Sequence, residues 1–186
     1  QFYNDAVEQA AAIAQTLKVG DPHDKDIVIG PLVAKRQQDR VLGYIDIAKD
    51  EGATIVTGGK RPAAMEKGWF VEPTVLSGVE NSMRIAQEEI FGPVVSFIPY
   101  EGDEQALAIT NDTNYGLDGA VWTGDQERGM AIARRIRSGN LSVNGGIAPY
   151  PKTPYGGFKQ SGYGRELGVE GLGMYLETKT IAAPSA

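Results

Sequence analysis

Hydrophobic residues recur with helical spacing in two stretches near the start of the chain. The first stretch covers residues 2–17, after which Gly20 favours the end of a helix. The second covers residues 34–50, and Gly52 stands just past its end, a common position for glycine at helix C-termini. A short run at residues 54–57 then has the composition of a strand. The pattern therefore predicts two amphipathic helices followed by a strand.

The middle of the chain alternates between strand-like and helix-like patterns. The predicted elements are a strand at 70–76 interrupted at Pro73, a strand at 94–100, a helix capped by Asp103, a strand at 117–123, a helix capped by Asp125 that ends at Gly139, and a short strand at 141–144. Such alternation is typical of a mostly parallel sheet flanked by helices. The sequence therefore predicts the α/β fold class.

The last part of the chain has a different composition. Residues 145–173 are rich in glycine and proline, which predicts a long loop, and long loops in compact domains are usually functional. Residues 174–181 alternate again and predict a final strand, which a loose tail at 182–186 follows.

Composition narrows the classes of function. The chain has 186 residues, of which 41% are hydrophobic, and this excludes a disordered chain. Its net charge is −6, and its arginine cluster, Arg134, Arg135 and Arg137, lies near a predicted helix end, where cations complement the helix dipole. We therefore expect no nucleic-acid partner. We also find no hydrophobic run of membrane-spanning length and no signal peptide, so we expect no membrane association and a cytoplasmic location.

Cysteine is missing from the sequence, and histidine occurs once. The missing thiol excludes disulfides, zinc–thiolate sites and thiol catalysis from these residues. The single histidine, His23, lies in a polar segment that predicts a turn. We therefore expect no metal site.

The first candidate site is the segment from Gln87 to Pro93, in which two carboxylates precede Phe91 and a Gly-Pro turn. An ionised carboxylate can accept hydrogen bonds from a ribose diol, and an aromatic ring can pack against a flat heterocycle. Residue types alone still favour a charged turn with a core phenylalanine, because turns are commonly polar.

Two glycine-containing segments are further candidates. Residues 154–166 resemble a phosphate loop in composition, but their glycine spacing misses the dinucleotide fingerprint by one residue and no strand precedes them. Within that segment Glu166 could relay protons, although an ion pair involving Arg165 or Glu166 is the commoner outcome. Residues 144–150 follow a predicted parallel strand, where ligands collect, and a plain connector is the competing interpretation.

Taken together, the segments resemble the aldehyde dehydrogenase superfamily over nearly the whole chain. Any one of the matching segments is weak, but their order and spacing form a strong signal. They are residues 29–32, 68–75, 88–94, 111–117, 139–144 and 154–162.

The resemblance implies oxidation of a small-molecule aldehyde to a carboxylic acid with NAD or NADP. In this family a cysteine thiolate attacks the carbonyl, hydride passes to the nicotinamide, and water hydrolyses the thioester. Covalent attack is needed because a thiohemiacetal must form before hydride can leave.

The resemblance also assigns roles to individual residues. Glu89 matches the carboxylate that holds the nicotinamide ribose, Phe91 matches the aromatic residue beside the nicotinamide, and Glu166 matches a second glutamate that assists the water-activating base. The substrate tunnel would be lined by Asn144, Ile147, Ala148, Pro149 and Tyr155. Ion pairs near a subunit interface would involve Arg165, Glu177 and Lys179.

The implied organisation is a catalytic domain at residues 1–172 and an oligomerisation strand with its tail at 173–186, in a homo-oligomer such as a dimer or tetramer. The nucleophilic cysteine, the glutamate base, the oxyanion asparagine and the dinucleotide-binding domain are expected upstream of Gln1. We therefore expect the cofactor to be bound mainly by that upstream domain and the chain alone to be inactive. The alternative is a non-catalytic binding or assembly protein that retains the fold.

Overall fold

The computed structural model describes residues 2–145 and 151–184, and the chain divides into two compact units, residues 1–100 and 101–186. The first unit contains α1 (Phe2–Thr16), α2 (Lys35–Asp50), β1 (Thr54–Thr57), β2 (Thr74–Ser77), α3 (Arg84–Gln87) and β3 (Val94–Ser96). The second contains α4 (Gly102–Asn111), β4 (Asp118–Val121), α5 (Gln126–Ala133), β5 (Asn140–Val143), a 3₁₀ turn (Lys159–Ser161) and α6 (Gly168–Gly173).

The first unit has a three-stranded sheet with the order β1–β2–β3. Strand β1 runs antiparallel to β2, whereas β2 and β3 are parallel, with Thr74 opposite Val94. Helix α2 buries Val41, Ile45 and Ala48, and their spacing along the helix places them on one face. Ala48 shares an apolar cluster with Leu76, a fully buried residue of the central strand, whereas Val41 and Ile45 form a second cluster with Val71. The helical periodicity of residues 34–50 therefore marks the face of α2 that contributes to the core of this unit.

The strand predicted at residues 70–76 begins only at Thr74. Pro73 has no N–H and cannot donate to a strand ladder, which explains why the strand starts after it. Thr74 is buried, and its hydroxyl donates to the Glu72 carbonyl at 2.8 Å and accepts from the Gly59 N–H at 2.8 Å. These bonds tie the segment before the strand to the turn that follows β1.

The second unit confirms the predicted strand–helix–strand alternation. Strands β4 and β5 are parallel, from Asp118 opposite Asn140 to Val121 opposite Val143, with α5 between them in the sequence. Asp125 caps α5 as expected, because its carboxylate accepts from the Arg128 N–H at 3.1 Å.

The prediction that α5 continues to Gly139 is wrong, because the helix ends at Ala133. The Asn111 side chain holds the backbone that follows the end of α5. Its side-chain amide donates to the Arg135 carbonyl at 3.0 Å and accepts from the Arg137 N–H at 2.7 Å. In a continuing helix, the Arg135 carbonyl and the Arg137 N–H would bond to other backbone groups of that helix. Here they bond to the Asn111 side chain instead.

Asp103 was also expected to cap a helix, but α4 begins one residue earlier and its N-cap position is Glu101. Asp103 lies in the first turn and pairs with Arg128, and Glu104 pairs with Arg135 at 2.6 Å. Arg135 lies just beyond the end of α5, and its guanidinium pairs with Glu104 of α4.

Two further expectations are corrected by the structure, and a third is not confirmed. The strands predicted between residues 94 and 144 do not share one sheet among the described residues, because β3 pairs with β2 while β4 pairs with β5. The segment 145–173, expected to be a loop, includes the 3₁₀ turn and α6. The described residues 176–184 form no helix or strand, since a strand requires hydrogen-bonding partners along its length. A C-terminal strand therefore stays a prediction.

Membrane-spanning helices and metal sites were both expected to be absent, and both can be checked for residues 2–145 and 151–184. No helix there is long and apolar enough to cross a membrane. The same residues contain no group of three metal-ligating side chains.

A close backbone approach in the second unit can be tested by adding one methyl group. A Cβ at Gly139 would lie 1.7 Å from the Gly156 carbonyl oxygen, so Gly139→Ala should lower the free energy of unfolding by about 1–3 kcal/mol. The measurement is urea denaturation followed by circular dichroism.

Gly124→Ala is the matched control, because a Cβ there has nothing within 4 Å, and it should change the stability by no more than about 0.5 kcal/mol. Equal unfolding midpoints for the two variants would contradict the packing described.

Candidate functional site

The two carboxylates of the segment 87–93 have different environments. The Glu88 carboxylate accepts two hydrogen bonds from Arg84, at 3.0 and 2.9 Å, and a further one from the Tyr44 hydroxyl. The guanidinium groups of Arg40 and Arg84 lie 5.0 and 5.6 Å from the centre of the Tyr44 ring. Glu88 therefore belongs to a polar network between α2 and α3.

This network changes the acidity of Glu88. Hydrogen bonds from Arg84 and then from Tyr44 lower the pKa of Glu88 from 4.5 to about 2. The hydrogen bond to the same carboxylate raises the pKa of Tyr44. Glu88 is thus an ionised structural residue, and it is the carboxylate that sequence reasoning left without a role.

Glu89 differs from its neighbour because its side chain is exposed. Across residues 2–145 and 151–184, its carboxylate makes no ion pair. Its backbone, in contrast, is held, since the Arg40 guanidinium donates to the Glu89 carbonyl at 2.6 Å. The acceptor atoms of Glu89 are therefore available for a ligand.

Phe91 lies two residues further along the same turn, and its side chain is 72% exposed. Its φ is +59°, a left-handed conformation that is uncommon outside glycine. The competing interpretation from residue types, a charged turn with a core phenylalanine, is therefore wrong for Phe91. Phe91 borders an apolar groove of about 420 Å³ that Pro31, Leu32, Val33, Gln37, Gly92 and Pro93 also line.

In the second unit the glycine-rich loop is closed on itself by Tyr155 and Glu166. Their backbones exchange two hydrogen bonds, at 2.8 and 2.7 Å. The Tyr155 hydroxyl donates to Asp118 at 3.3 Å. Desolvation raises the pKa of Tyr155, and the negative charge of Asp118 raises it further.

The loop borders an open cavity of about 440 Å³, and Arg165 and Glu166 are among the residues that line it. The Arg165 guanidinium donates to the carbonyls of Gly157 and Gly164, at 2.9 and 2.8 Å. Arg165 thus stabilises the loop in this chain, and its predicted place in an interfacial ion pair stays a prediction. The Glu166 side chain is exposed, so it is accessible for proton transfer.

Lys159 is a residue that the sequence analysis missed. Its ammonium donates to the carbonyls of Asn111 and Thr113, at 2.8 and 2.9 Å, and so fastens the loop to the end of α4. Ser161 adds a contact, because its hydroxyl accepts from the Gly116 N–H at 3.0 Å. Both contacts join segments that carry the family resemblance, 111–117 and 154–162, but the sequence did not indicate that these segments meet.

The predicted tunnel and interface residues are only partly described. Asn144 follows β5 with a φ of +54°, and its side-chain oxygen accepts from the Thr123 N–H at 2.8 Å, so it closes the end of the parallel pair. Ile147, Ala148 and Pro149 lie outside the described residues. Glu177 and Lys179 are exposed in the segment without regular structure.

The Glu88 network predicts a pH-dependent contribution to stability. Because the folded pKa of about 2 lies below the ordinary 4.5, the contribution is present above pH 4.5 and is lost as the pH falls towards 2. Glu88→Gln should therefore be less stable than the wild type at about pH 6, with a smaller difference at about pH 3. Urea denaturation at both pH values gives the two differences.

Glu89→Gln is the neighbouring control, and it should unfold at the wild-type midpoint at both pH values. A Glu88→Gln deficit of the same size at both pH values would show that the ionised form of Glu88 is not what stabilises the fold.

Comparison with known proteins identifies the family. The model of the aldehyde dehydrogenase family matches residues 1–181. The chain is 42% identical to geranial dehydrogenase of Castellaniella defragrans over 96% of its own length, and 38% identical to the chloroplastic betaine aldehyde dehydrogenase of Beta vulgaris over 95%. It spans 37% and 35% of the length of these relatives.

Solved structures agree with the sequence comparison. The NAD⁺ complex of Mycobacterium tuberculosis aldehyde dehydrogenase matches with a TM-score of 0.93 and 45% identity, over 98% of this chain and 38% of that one. The NAD⁺ complex of Staphylococcus aureus betaine aldehyde dehydrogenase matches with a TM-score of 0.90 and 42% identity, over 94% of this chain and 35% of that one. The α/β fold is therefore confirmed, and the chain belongs to the aldehyde dehydrogenase family.

Proposed function

We propose that this chain is the part of an NAD(P)-dependent aldehyde dehydrogenase that holds the nicotinamide ribose and forms one wall of the active site. The observation that carries the proposal is the Glu89–Phe91 turn. It presents an exposed carboxylate beside an exposed aromatic ring, while hydrogen bonds hold its backbone.

The residues of this turn fit a nicotinamide riboside. The two oxygens of the Glu89 carboxylate can accept hydrogen bonds from the two hydroxyls of a ribose diol. The Phe91 ring offers an apolar surface to a flat heterocycle, and the groove beside it is also apolar. When bound, NAD⁺ or NADP⁺ would accept the hydride that leaves the aldehyde carbon.

The chain's own contribution is positioning. A carboxylate that binds the ribose fixes the nicotinamide ring relative to the aldehyde. Such fixed geometry lowers the entropic part of the activation free energy for hydride transfer. The sequence has no cysteine, so it supplies no thiol nucleophile. We infer that the nucleophile and most of the dinucleotide site belong to the other part of a protein as long as the relatives.

We assign the second unit to the substrate side of the same protein. Glu166 serves there as a proton-transferring carboxylate, which its exposure at the rim of the loop cavity supports. The tunnel lining comprises Asn144, Ile147, Ala148, Pro149 and Tyr155. Two of the relatives described above are named for geranial and betaine aldehyde, and a further relative, from Pisum sativum, is named for aminoaldehydes, so we propose an aldehyde substrate without choosing among these classes.

The assembly follows the same proposal. Residues 1–172 belong to the catalytic domain, and residues 173–186 form a strand and tail that pair with a second copy in a homo-oligomer. Arg165, Glu177 and Lys179 lie near that interface. The exposed side chains of Tyr175, Leu176 and Ile181 support the assignment, because pairing would cover them. A cytoplasmic location is part of the proposal.

The lack of a nucleophile predicts the behaviour of the 186-residue chain by itself. Incubated with NAD⁺ and aldehydes such as geranial or betaine aldehyde, the purified chain should produce NADH no faster than a blank, as followed by absorbance. Production of NADH faster than in the blank would require a nucleophile other than cysteine and would contradict this prediction. A well-folded chain without activity is also what the alternative, a non-catalytic binding or assembly protein, requires.

The role of Glu89 distinguishes an aldehyde dehydrogenase from a non-catalytic binding or assembly protein, and it is tested in the full-length protein that contains this chain. Glu89→Gln removes the charge from the ribose acceptor and should lower kcat/KM for NAD⁺ by about 10- to 100-fold, because hydrogen bonds to charged groups are worth about 1.5–3 kcal/mol. Steady-state kinetics at saturating aldehyde give the value.

Glu8→Gln is an equally conservative change of an exposed carboxylate on α1 and should leave kcat/KM unchanged. If Glu89→Gln behaves like Glu8→Gln, the assignment of the ribose-holding carboxylate is wrong. If the unmutated full-length protein oxidises no aldehyde, the binding or assembly alternative is favoured instead.

A further inference from the structure

We propose that Asp118 is a positioning residue for substrate selection, and that it acts through Tyr155 to favour aldehydes that carry a positive charge. The inference rests on the proposed function, since that function places Tyr155 in the lining of the substrate tunnel. It adds the chemical class of aldehyde that this part of the lining favours.

Tyr155 is held both at its backbone and at its hydroxyl. Its backbone exchanges two hydrogen bonds with Glu166, at 2.8 and 2.7 Å, and its hydroxyl donates to the Asp118 carboxylate at 3.3 Å. Tyr155 is half-buried, and it borders the open cavity beside the loop together with Leu117 and Glu166. The tyrosine ring is therefore restrained from two directions where it meets this cavity.

Asp118 is itself fixed by the parallel strand pair of the second unit. It is the first residue of β4 and lies opposite Asn140 of β5. The Asn140 side-chain amide donates to the carbonyls of Leu117 and Gly156, which are the chain neighbours of Asp118 and Tyr155. The strand and the loop are thereby joined directly beside the hydrogen bond between Asp118 and Tyr155.

The charged groups that act on the Tyr155 hydroxyl are carboxylates. Desolvation raises the pKa of Tyr155, and the negative charges of Asp118 and Glu166 raise it further. The hydroxyl therefore keeps its proton at neutral pH and remains a donor to Asp118. The guanidinium of Arg165, which also borders the cavity, is already bound by two backbone carbonyls. We therefore expect the surroundings of the Tyr155 ring to favour a positive group.

A tyrosine that donates to a carboxylate is a better partner for a cation than a tyrosine without one. The hydrogen bond shifts electron density into the ring, and the negative face of the ring then attracts a positive group more strongly. A neutral aldehyde of the same shape gains nothing from this attraction. Asp118 thus favours a cationic aldehyde through Tyr155, without touching the substrate itself.

The test compares two aldehydes of the same shape in the full-length protein that contains this chain. Betaine aldehyde has a trimethylammonium group, and tert-butylacetaldehyde has a neutral tert-butyl group in its place. Asp118→Asn removes the charge but keeps the size of the side chain and an acceptor for Tyr155. It should lower the ratio of kcat/KM for betaine aldehyde to kcat/KM for tert-butylacetaldehyde by about 3- to 10-fold, a change in the range of cation–π interactions. This ratio does not depend on the folded fraction of the sample.

Tyr155→Phe tests whether Asp118 acts through the tyrosine. The variant keeps the ring and removes the hydroxyl that bonds to Asp118. If Asp118 acts through Tyr155, adding Asp118→Asn to Tyr155→Phe should change the ratio less than Asp118→Asn changes it in the wild type. The same fold-change in both backgrounds would overturn the positioning role.

Glu127→Gln is the matched control, because it removes an exposed carboxylate from α5 of the same unit. This variant should leave the ratio at its wild-type value. A fall as large as that of Asp118→Asn would attribute the effect to the net charge of the protein and would overturn the specific role of Asp118.

The outcomes also separate this inference from the proposed function. An unchanged ratio in Asp118→Asn would overturn the role of Asp118 alone. A wild type that oxidises tert-butylacetaldehyde or geranial but not betaine aldehyde would overturn the preference for a cation. If the wild type oxidises betaine aldehyde alone, its kcat/KM in Asp118→Asn relative to Glu127→Gln takes the place of the ratio. A full-length protein that oxidises no aldehyde would overturn the proposed function and this inference with it.

Discussion

The first unit depends on the burial of one face of α2. Val41, Ile45 and Ala48 are almost completely removed from solvent. Ala48 shares an apolar cluster with Leu76 of the central strand β2, and Val41 and Ile45 pack in a second cluster with Val71. Burying a side chain of this size is worth about 1.5–3 kcal/mol, so this face is a main source of stability. The same helix carries Arg40, whose guanidinium donates to the Glu89 carbonyl, so core packing also fixes where that donor stands.

The two adjacent glutamates show how neighbours in sequence acquire different roles. Glu88 is bound by Arg84 and Tyr44 and holds the structure together, whereas Glu89 presents its carboxylate to solvent. The structural ion pair beside the exposed Glu89 carboxylate restrains the turn. A ligand that binds to a restrained turn would lose less conformational entropy than one that binds to a mobile turn.

In the second unit, polar contacts hold the loop segments in place. Asn111 holds the chain beyond α5, and Lys159 binds carbonyls at the end of α4. Asn140 donates to the carbonyls of Leu117 and Gly156, and thereby joins the parallel pair to the glycine-rich loop. The close approach of Gly139 to Gly156 leaves no space for a side chain. A loop of this composition is therefore held in a defined shape by backbone acceptors and a small number of long or amide side chains.

The order of the matching segments was sufficient for the family. Hydrophobic periodicity was sufficient for the α/β class, for α1 and α2 and for the parallel pair of the second unit, because these depend on the local spacing of hydrophobic residues, but it gave no sign of α3. The sequence also singled out residues 87–93 and 154–166. Residue types did not tell Glu88 from Glu89, which only the family resemblance separated, and the hydrophobic pattern predicted too long a helix before Gly139. Those outcomes depend on partners distant in sequence, such as Tyr44 for Glu88 and Asn111 for the end of α5, and only the tertiary structure brings such partners together.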